Sequence, residues 1–89
     1  MARILGRKAL ITVKLKLFGT LPRHVPDYRP ESGIDVEMVD GSTYRDMMET
    51  LHLPEEEARL IIVNGKSKRP TDPVSEGEDI FFFLPLGGG

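Results

Sequence analysis

Four apolar residues at every second position, Ile11, Val13, Leu15 and Leu17, with Thr12, Lys14 and Lys16 between them, constrain this chain more than any other feature. Successive side chains on a strand point to opposite faces, so this spacing describes a strand with one dry face and one wet face. Such a strand needs neighbours to pair with and an apolar layer to cover its dry face. The rest of the sequence supplies both. Ile34, Val36 and Met38 alternate with Asp35 and Glu37, which predicts a second strand. Between the two, Gly19 to Gly33 holds Pro22, Pro26 and Pro30 and reads as a long surface loop without regular structure.

After the turn signal Asp40-Gly41 the period changes from two to that of a helix. Ser42 or Thr43 can cap the N-terminus, with Asp46 in the first turn. Tyr44, Met47, Met48 and Leu51 form one apolar stripe. Pro54 is expected to stop this helix through its effect on Leu53. It then opens a short second helical turn, Pro54-Glu55-Glu56-Glu57, at whose first position a proline is tolerated. Leu60 to Val63 reads as a buried strand, Asn64-Gly65 as a hairpin turn and Lys66 to Arg69 as a short return strand. Pro70 to Glu78 is loop, with Gly77 a turn residue, and Ile80 to Leu84 is a last apolar strand ended by Pro85. The best apolar partner for the last strand is the first, which would place both at the centre of the sheet. The predicted class is α+β: a mixed sheet of four to five strands with one main helix packed on one face. Residues 1–9 read as a loose leader, 10–84 as the folded domain and 85–89 as a flexible tail.

Composition narrows the chemistry. The 89 residues make one domain and include no cysteine, which excludes disulfides, a zinc–thiolate site and an iron–sulfur cluster within the chain. Any thiol chemistry must come from a partner. No apolar run approaches the roughly 20 residues a membrane helix needs, and Lys8, Lys14 and Lys16 interrupt the N-terminal run, so neither a membrane span nor a signal peptide is expected. A cytoplasmic location is. The net charge is −2, unevenly spread: residues 1–29 carry seven bases and one acid, Asp27, while the rest carry five bases and thirteen acids. This is either a charge pattern that keeps the domain soluble or one that steers it to partners. A nucleic-acid partner is not expected of an acidic chain without clustered bases and interleaved aromatics. His24 and His52 are isolated and lack metal-ligand spacing, and Glu55-Glu56-Glu57 reads as a solvated run. Lys66, Lys68 and Arg69 read as a solvated turn or a small basic patch. No nucleophile–base set and no phosphate cradle is visible, so an independent enzyme is not expected.

Five local segments, in order, carry a family resemblance over residues 11 to 89. They are Ile-Thr-Val-Lys-Leu-Lys-Leu-Phe-Gly (11–19), Asp-Gly-Ser-Thr-Tyr-Arg-Asp-Met-Met (40–48), Ile-Ile-Val-Asn-Gly-Lys (61–66), Glu-Gly-Glu-Asp-Ile (76–80) and Phe-Leu-Pro-Leu-Gly-Gly-Gly (83–89). Together they resemble the MoaD/ThiS family of sulfur carriers, relatives of ubiquitin with a β-grasp fold. The family tail often has two prolines and a small residue before its glycines. Here Leu84 precedes the single Pro85, and Gly87 is a third glycine. The leader is also longer than usual.

The resemblance implies a protein co-substrate that holds no cofactor. The Gly89 carboxylate would be adenylated with ATP by an E1-like enzyme of the MoeB/ThiF type. It would then be converted to a thiocarboxylate that gives its sulfur to the large subunit of a synthase. The acceptor pathway would be that of a pterin dithiolene cofactor for molybdenum or tungsten, favoured by the opening strand and the tail, or that of the thiamine thiazole. Glycine suits such a tail because it has no side chain to clash in a narrow channel and reaches backbone angles other residues avoid. Gly87, Gly88, Pro85 and Leu86 would thread it, and residues 85 to 89 extended reach on the order of 15 Å. Read alone, the glycines are equally a frayed chain end. The alternatives are a ubiquitin-like modifier attached to lysines, or a non-covalent binding module in which the glycines have no role.

Strand alternation separates Phe81 and Phe83 from Ile80, Phe82 and Leu84. If the helix covers one face only, Phe81 and Phe83, with Leu86, form an exposed patch for docking the activating enzyme. Otherwise loop 19–33 or the leader covers them.

Overall fold

The computed structural model describes the backbone of residues 3–5, 8–26 and 28–83, and side chains from residue 9 within those spans. The alternating segment forms the longest strand, β2 (Lys8–Leu17), preceded by a short strand β1 (Arg3–Leu5). There follow β3 (Ile34–Val39), helix α1 (Tyr44–Thr50), the hairpin β4 (Leu60–Val63) and β5 (Lys66–Lys68), and β6 (Asp79–Phe83). All six strands lie in one mixed sheet. Strand β2 is antiparallel to β1 on one edge and to β3 on the other. On the β1 side it also pairs in parallel with β6, Lys14 opposite Asp79 and Leu17 opposite Phe82. Antiparallel β4 flanks β6 on its far side, and β5 ends the sheet.

The expected pairing of the first and last long strands is therefore present, and the architecture is the predicted α+β one. The segment read as a loose leader carries β1 and the first residues of β2. Pairing explains this: β3 reaches back to Leu10, and the β1 backbone takes the opposite edge of the same stretch. Between β1 and β6 the edge of β2 is not left open. Gly77 N–H donates to the Thr12 carbonyl (2.9 Å), Lys14 N–H donates to the Glu78 carbonyl (2.9 Å), and Thr12 N–H donates to Glu76 Oε1 (3.2 Å).

The dry face of the sheet, Ile11, Val13, Leu15, Leu17, Val36, Met38, Ile61, Val63, Ile80 and Phe82, is buried beneath Tyr44, Met47, Met48, Leu53 and Val74. Burial of these side chains is the main favourable term in folding. Tyr44 is fully buried, and its hydroxyl donates to Glu78 Oε1 at 2.6 Å, so its polar end is satisfied. Burial and then that carboxylate push the Tyr44 hydroxyl well above its ordinary pKa.

Thr43 is the residue that caps α1. Its Oγ1 accepts from Asp46 N–H (3.1 Å) while Asp46 Oδ2 accepts from Thr43 N–H (2.9 Å), a reciprocal capping box. The helix ends earlier than Pro54 requires. His52 takes a left-handed conformation (φ 58°), its N–H donates to the Glu49 carbonyl and Leu53 N–H donates to the Met48 carbonyl. These are the two bonds of a Schellman stop, reinforced by burial of both Met48 and Leu53. Pro54 instead precedes a 3-10 turn, Glu55–Glu57, as its N-cap. The proline-rich loop also holds a 3-10 turn, Leu21–His24, where regular structure was not expected. Pro22 sits at the start of that turn, where a missing N–H costs nothing, and Leu21 is fully buried.

Candidate functional site

The face of the sheet away from α1 carries the side chains left over from the alternation. On β6 these are Phe81 and Phe83, both partly buried, while Ile80 and Phe82 are buried under the helix. Cross-strand pairing puts Ile62 beside Phe81 and Leu60 beside Phe83 on β4, and Lys16 beside Phe81 on β2. Phe18 follows Lys16 by one strand repeat and joins the same patch. Its ring stacks on that of Phe83 (centroids 4.6 Å apart, planes 5° apart) and meets Phe81 at a tilt (5.8 Å, 58°). Phe81 and Phe83 meet at 6.3 Å and 60°. These separations lie in the range in which aromatic pairs attract beyond simple burial. Phe18 and Leu60 are each 38% exposed.

Phe81 and Phe83, the rings expected to dock a partner, therefore stand together on the face away from α1, each in contact with the ring of Phe18. Phe18 and Leu60 were missed by the sequence reading. The signal was present: Phe18 continues the wet-face positions 12, 14 and 16, and Leu60 shares alternation with Ile62. Farther along β2 and β3 the face carries Thr12, Lys14, Asp35 and Glu37, and at its far end the pair Leu10 and Val39, the latter exposed. Lys14 faces Asp35 across the strands at 3.9 Å, both well exposed, and such a pair contributes little. The tail residues Pro85, Leu86, Gly87, Gly88 and Gly89 lie outside the described residues, as does Leu84.

At the end of the sheet where β6 finishes, two loops are tied together. Glu57 Oε1 accepts from Thr20 Oγ1 (3.1 Å) and lies 3.2 Å from His24 Nε2, with Arg23 3.8 Å from Oε2. His24 first, and then Thr20, hold the Glu57 carboxyl below the usual carboxylate range. Glu55 is taken up by a bidentate bond from Arg45, Nε to Oε1 at 2.8 Å and Nη2 to Oε2 at 3.0 Å, which lowers its pKa as well. The run 55–57, read as solvated, is thus two-thirds engaged, because the fold brings Arg45, Thr20 and His24 to it. Tyr28 anchors the same loop from the other side. Its hydroxyl accepts from Leu17 N–H (2.7 Å) and donates to the Leu17 carbonyl (3.2 Å), serving the strand end that β3 does not reach.

Among the described residues no cluster of three or more His, Cys, Asp or Glu could hold a metal ion, and no helix is long and apolar enough to cross a membrane. A mixed sheet grasping one helix, with its first long strand and its last strand parallel at the centre, defines a ubiquitin-like β-grasp domain. Residues 10–85 match the family described as Mut7-C ubiquitin, and the chain belongs to that family. The matched span takes in the domain and Pro85, and Leu86 to Gly89 lie beyond it. No curated protein matches the chain.

Proposed function

We propose that this protein is a sulfur carrier of the MoaD/ThiS type, a cytoplasmic protein co-substrate rather than an enzyme, with the Gly89 carboxylate as its reacting group. The observation that supports this reading is the place of β6. It is held between β2 and β4, and its last residue, Phe83, is followed directly by Leu84-Pro85-Leu86-Gly87-Gly88-Gly89. Phe83, at the root of that tail, is paired with Leu60 on β4 and stacked on Phe18, so it belongs to the aromatic patch on which a partner can seat itself. Phe81 and Phe83, joined by Phe18, are the docking surface for an E1-like enzyme that holds the ATP.

The chemistry balances without a cofactor on this chain. A Gly89 carboxylate oxygen attacks the α-phosphorus of ATP, forming the acyl-adenylate and releasing pyrophosphate. Hydrosulfide then adds to the acyl carbon, the bond to AMP breaks, AMP leaves with the electron pair and one proton is lost. The product is a thiocarboxylate, and no net oxidation occurs. Transfer of its sulfur to an acceptor on the synthase large subunit, with water supplying the replacing oxygen, restores the carboxylate. The favoured acceptor is the precursor of a pterin dithiolene for molybdenum or tungsten, and the alternative is the thiamine thiazole. A lysine amine attacking the same adenylate would give an isopeptide, the route of a ubiquitin-like modifier.

A second reading is a non-covalent binding module. It is favoured by one observation: the family match covers the domain and its aromatic face but not the glycines. Intact mass separates the readings. Incubation with an E1-like adenylating enzyme, ATP and hydrosulfide is expected to exchange one oxygen for sulfur on a chain that ends at Gly89. Phe83→Ala is expected to lower kcat/KM for adenylation about tenfold or more, as loss of an aromatic anchor does. No mass change, together with partner binding that survives deletion of Gly88 and Gly89, would establish the binding module instead.

A further inference from the structure

Strand β6 ends between two segments that turn away from the sheet. On the β2 side, residues 18–24 leave through Phe18, whose N–H donates to the Phe82 carbonyl (3.2 Å), and enter the 3-10 turn Leu21–His24. On the β4 side, residues 55–60 come out of the 3-10 turn Glu55–Glu57 and pair Leu60 with Phe83. The last described residue of β6 is therefore walled by both. What joins the walls is one carboxylate. Glu57 reaches Thr20 and His24 across 37 and 33 residues of sequence. Among the described residues, the side-chain hydrogen bonds that link the two segments are those of Glu57.

The bridge is built on fixed ground. Leu21, next to Thr20, and Ala58, next to Glu57, are fully buried, so neither backbone can drift without opening the core. Glu57 and His24 side chains are each only 24% exposed, which limits competition from water. Glu57, Thr20 and His24 all lie outside the core cluster. The position of the bridge therefore points to the strand end it spans.

We propose that Glu57 is a positioning residue: by clasping Thr20 and His24 it holds the two walls of the β6 end and so fixes the point from which residues 84–89 continue. This rests on the carrier reading for its functional consequence, but not for its structural content. If the clasp holds the tail's root, losing it leaves docking on the aromatic face intact while the carboxylate reaches the partner's ATP less often. The loss then falls on kcat and not on KM.

The test compares the wild-type chain with Glu57→Ala and Glu57→Gln. The amide in Gln keeps an acceptor for Thr20 and His24. Site-resolved amide exchange at pH 7 is expected to quicken about tenfold in Glu57→Ala at Phe18, Leu21 and Ala58, and to return most of the way in Glu57→Gln. The amides of Leu53 and Val74, which donate to Met48 and Ser42 elsewhere in the fold, are expected to hold within twofold. A uniform rise at all five amides would mean general destabilisation and would overturn the proposal, as would no change at any. With an E1-like enzyme and ATP, pyrophosphate release is expected to show kcat reduced three- to tenfold in Glu57→Ala, with KM within twofold. A rise in KM alone would overturn the positioning role. If the wild-type chain is not adenylated at all, the carrier reading fails, and the exchange data still decide whether the clasp exists.

Discussion

Gly33 has little freedom to change. It lies at φ 70°, and a Cβ built there would sit 2.5 Å from the Leu15 carbonyl oxygen and 2.9 Å from the Lys16 side chain. The positive angle alone disfavours an L side chain by about 1–2 kcal/mol, and the contact with backbone oxygen cannot be relieved by a rotamer change. Gly33→Ala is expected to lower stability by at least about 2 kcal/mol, measured by urea unfolding. A loss under about 0.5 kcal/mol would refute the close approach. The sequence placed Gly33 at the end of a loop but gave no hint of this contact, because it is made with Leu15 and Lys16 of β2, 18 and 17 residues earlier. By contrast, Thr43 and Asp46 were legible in advance, since a capping box is a local device. Only the choice between Ser42 and Thr43 needed the structure.

Among the elements, α1 shows how a strong local rule can be pre-empted by a tertiary one. Pro54 does bar a helix through Leu53, but the chain has already turned at His52. Burial of Leu53 against the core draws the backbone out of the helix and into the left-handed position that closes the Schellman bonds. A glycine is the usual residue there, and histidine occupies it under strain. His52→Gly is therefore expected to raise stability by about 0.5–1 kcal/mol, the relief of left-handed strain less the entropy gained by the unfolded chain. Destabilisation in thermal or urea unfolding would count against the motif. The strands were read well for the same reason that the helix stripe was: period two and period 3.6 are properties of adjacent residues. Strand β1 was missed because three residues carry no period, and only pairing with Lys8 to Leu10 defines them.

At the scale of the whole molecule, two carboxylates tie distant parts of the chain, and both respond to pH. Glu57 and Glu55 have folded pKa values below the ordinary one, through His24 and Thr20 for the first and Arg45 for the second. A group depressed on folding contributes stability above its unfolded pKa, about 4.3 for Glu, and that contribution is lost as pH falls through the folded value. Thermal stability is thus expected to hold at neutral pH and to decline below about pH 4. Glu57→Gln is expected to flatten part of that decline, and an unchanged acid limb in the variant would rule Glu57 out as a contributor.

Taken by itself, the sequence determined the strand faces, the helix stripe, a cap at Ser42 or Thr43, the hairpin turn and the α+β class, because each rests on spacing within a few residues. It also marked Phe81 and Phe83 as facing away from the helix, and it is the only source for the tail Gly87-Gly88-Gly89. Tertiary structure decided what those features meet. It set Phe18 and Leu60 beside the two phenylalanines, turned a run of glutamates into anchors for Arg45, Thr20 and His24, and placed β6 between β2 and β4. None of these is a local property. Each depends on which residues the sheet brings side by side, and that is set by strand order and register, where pairing and burial of the whole chain are satisfied together.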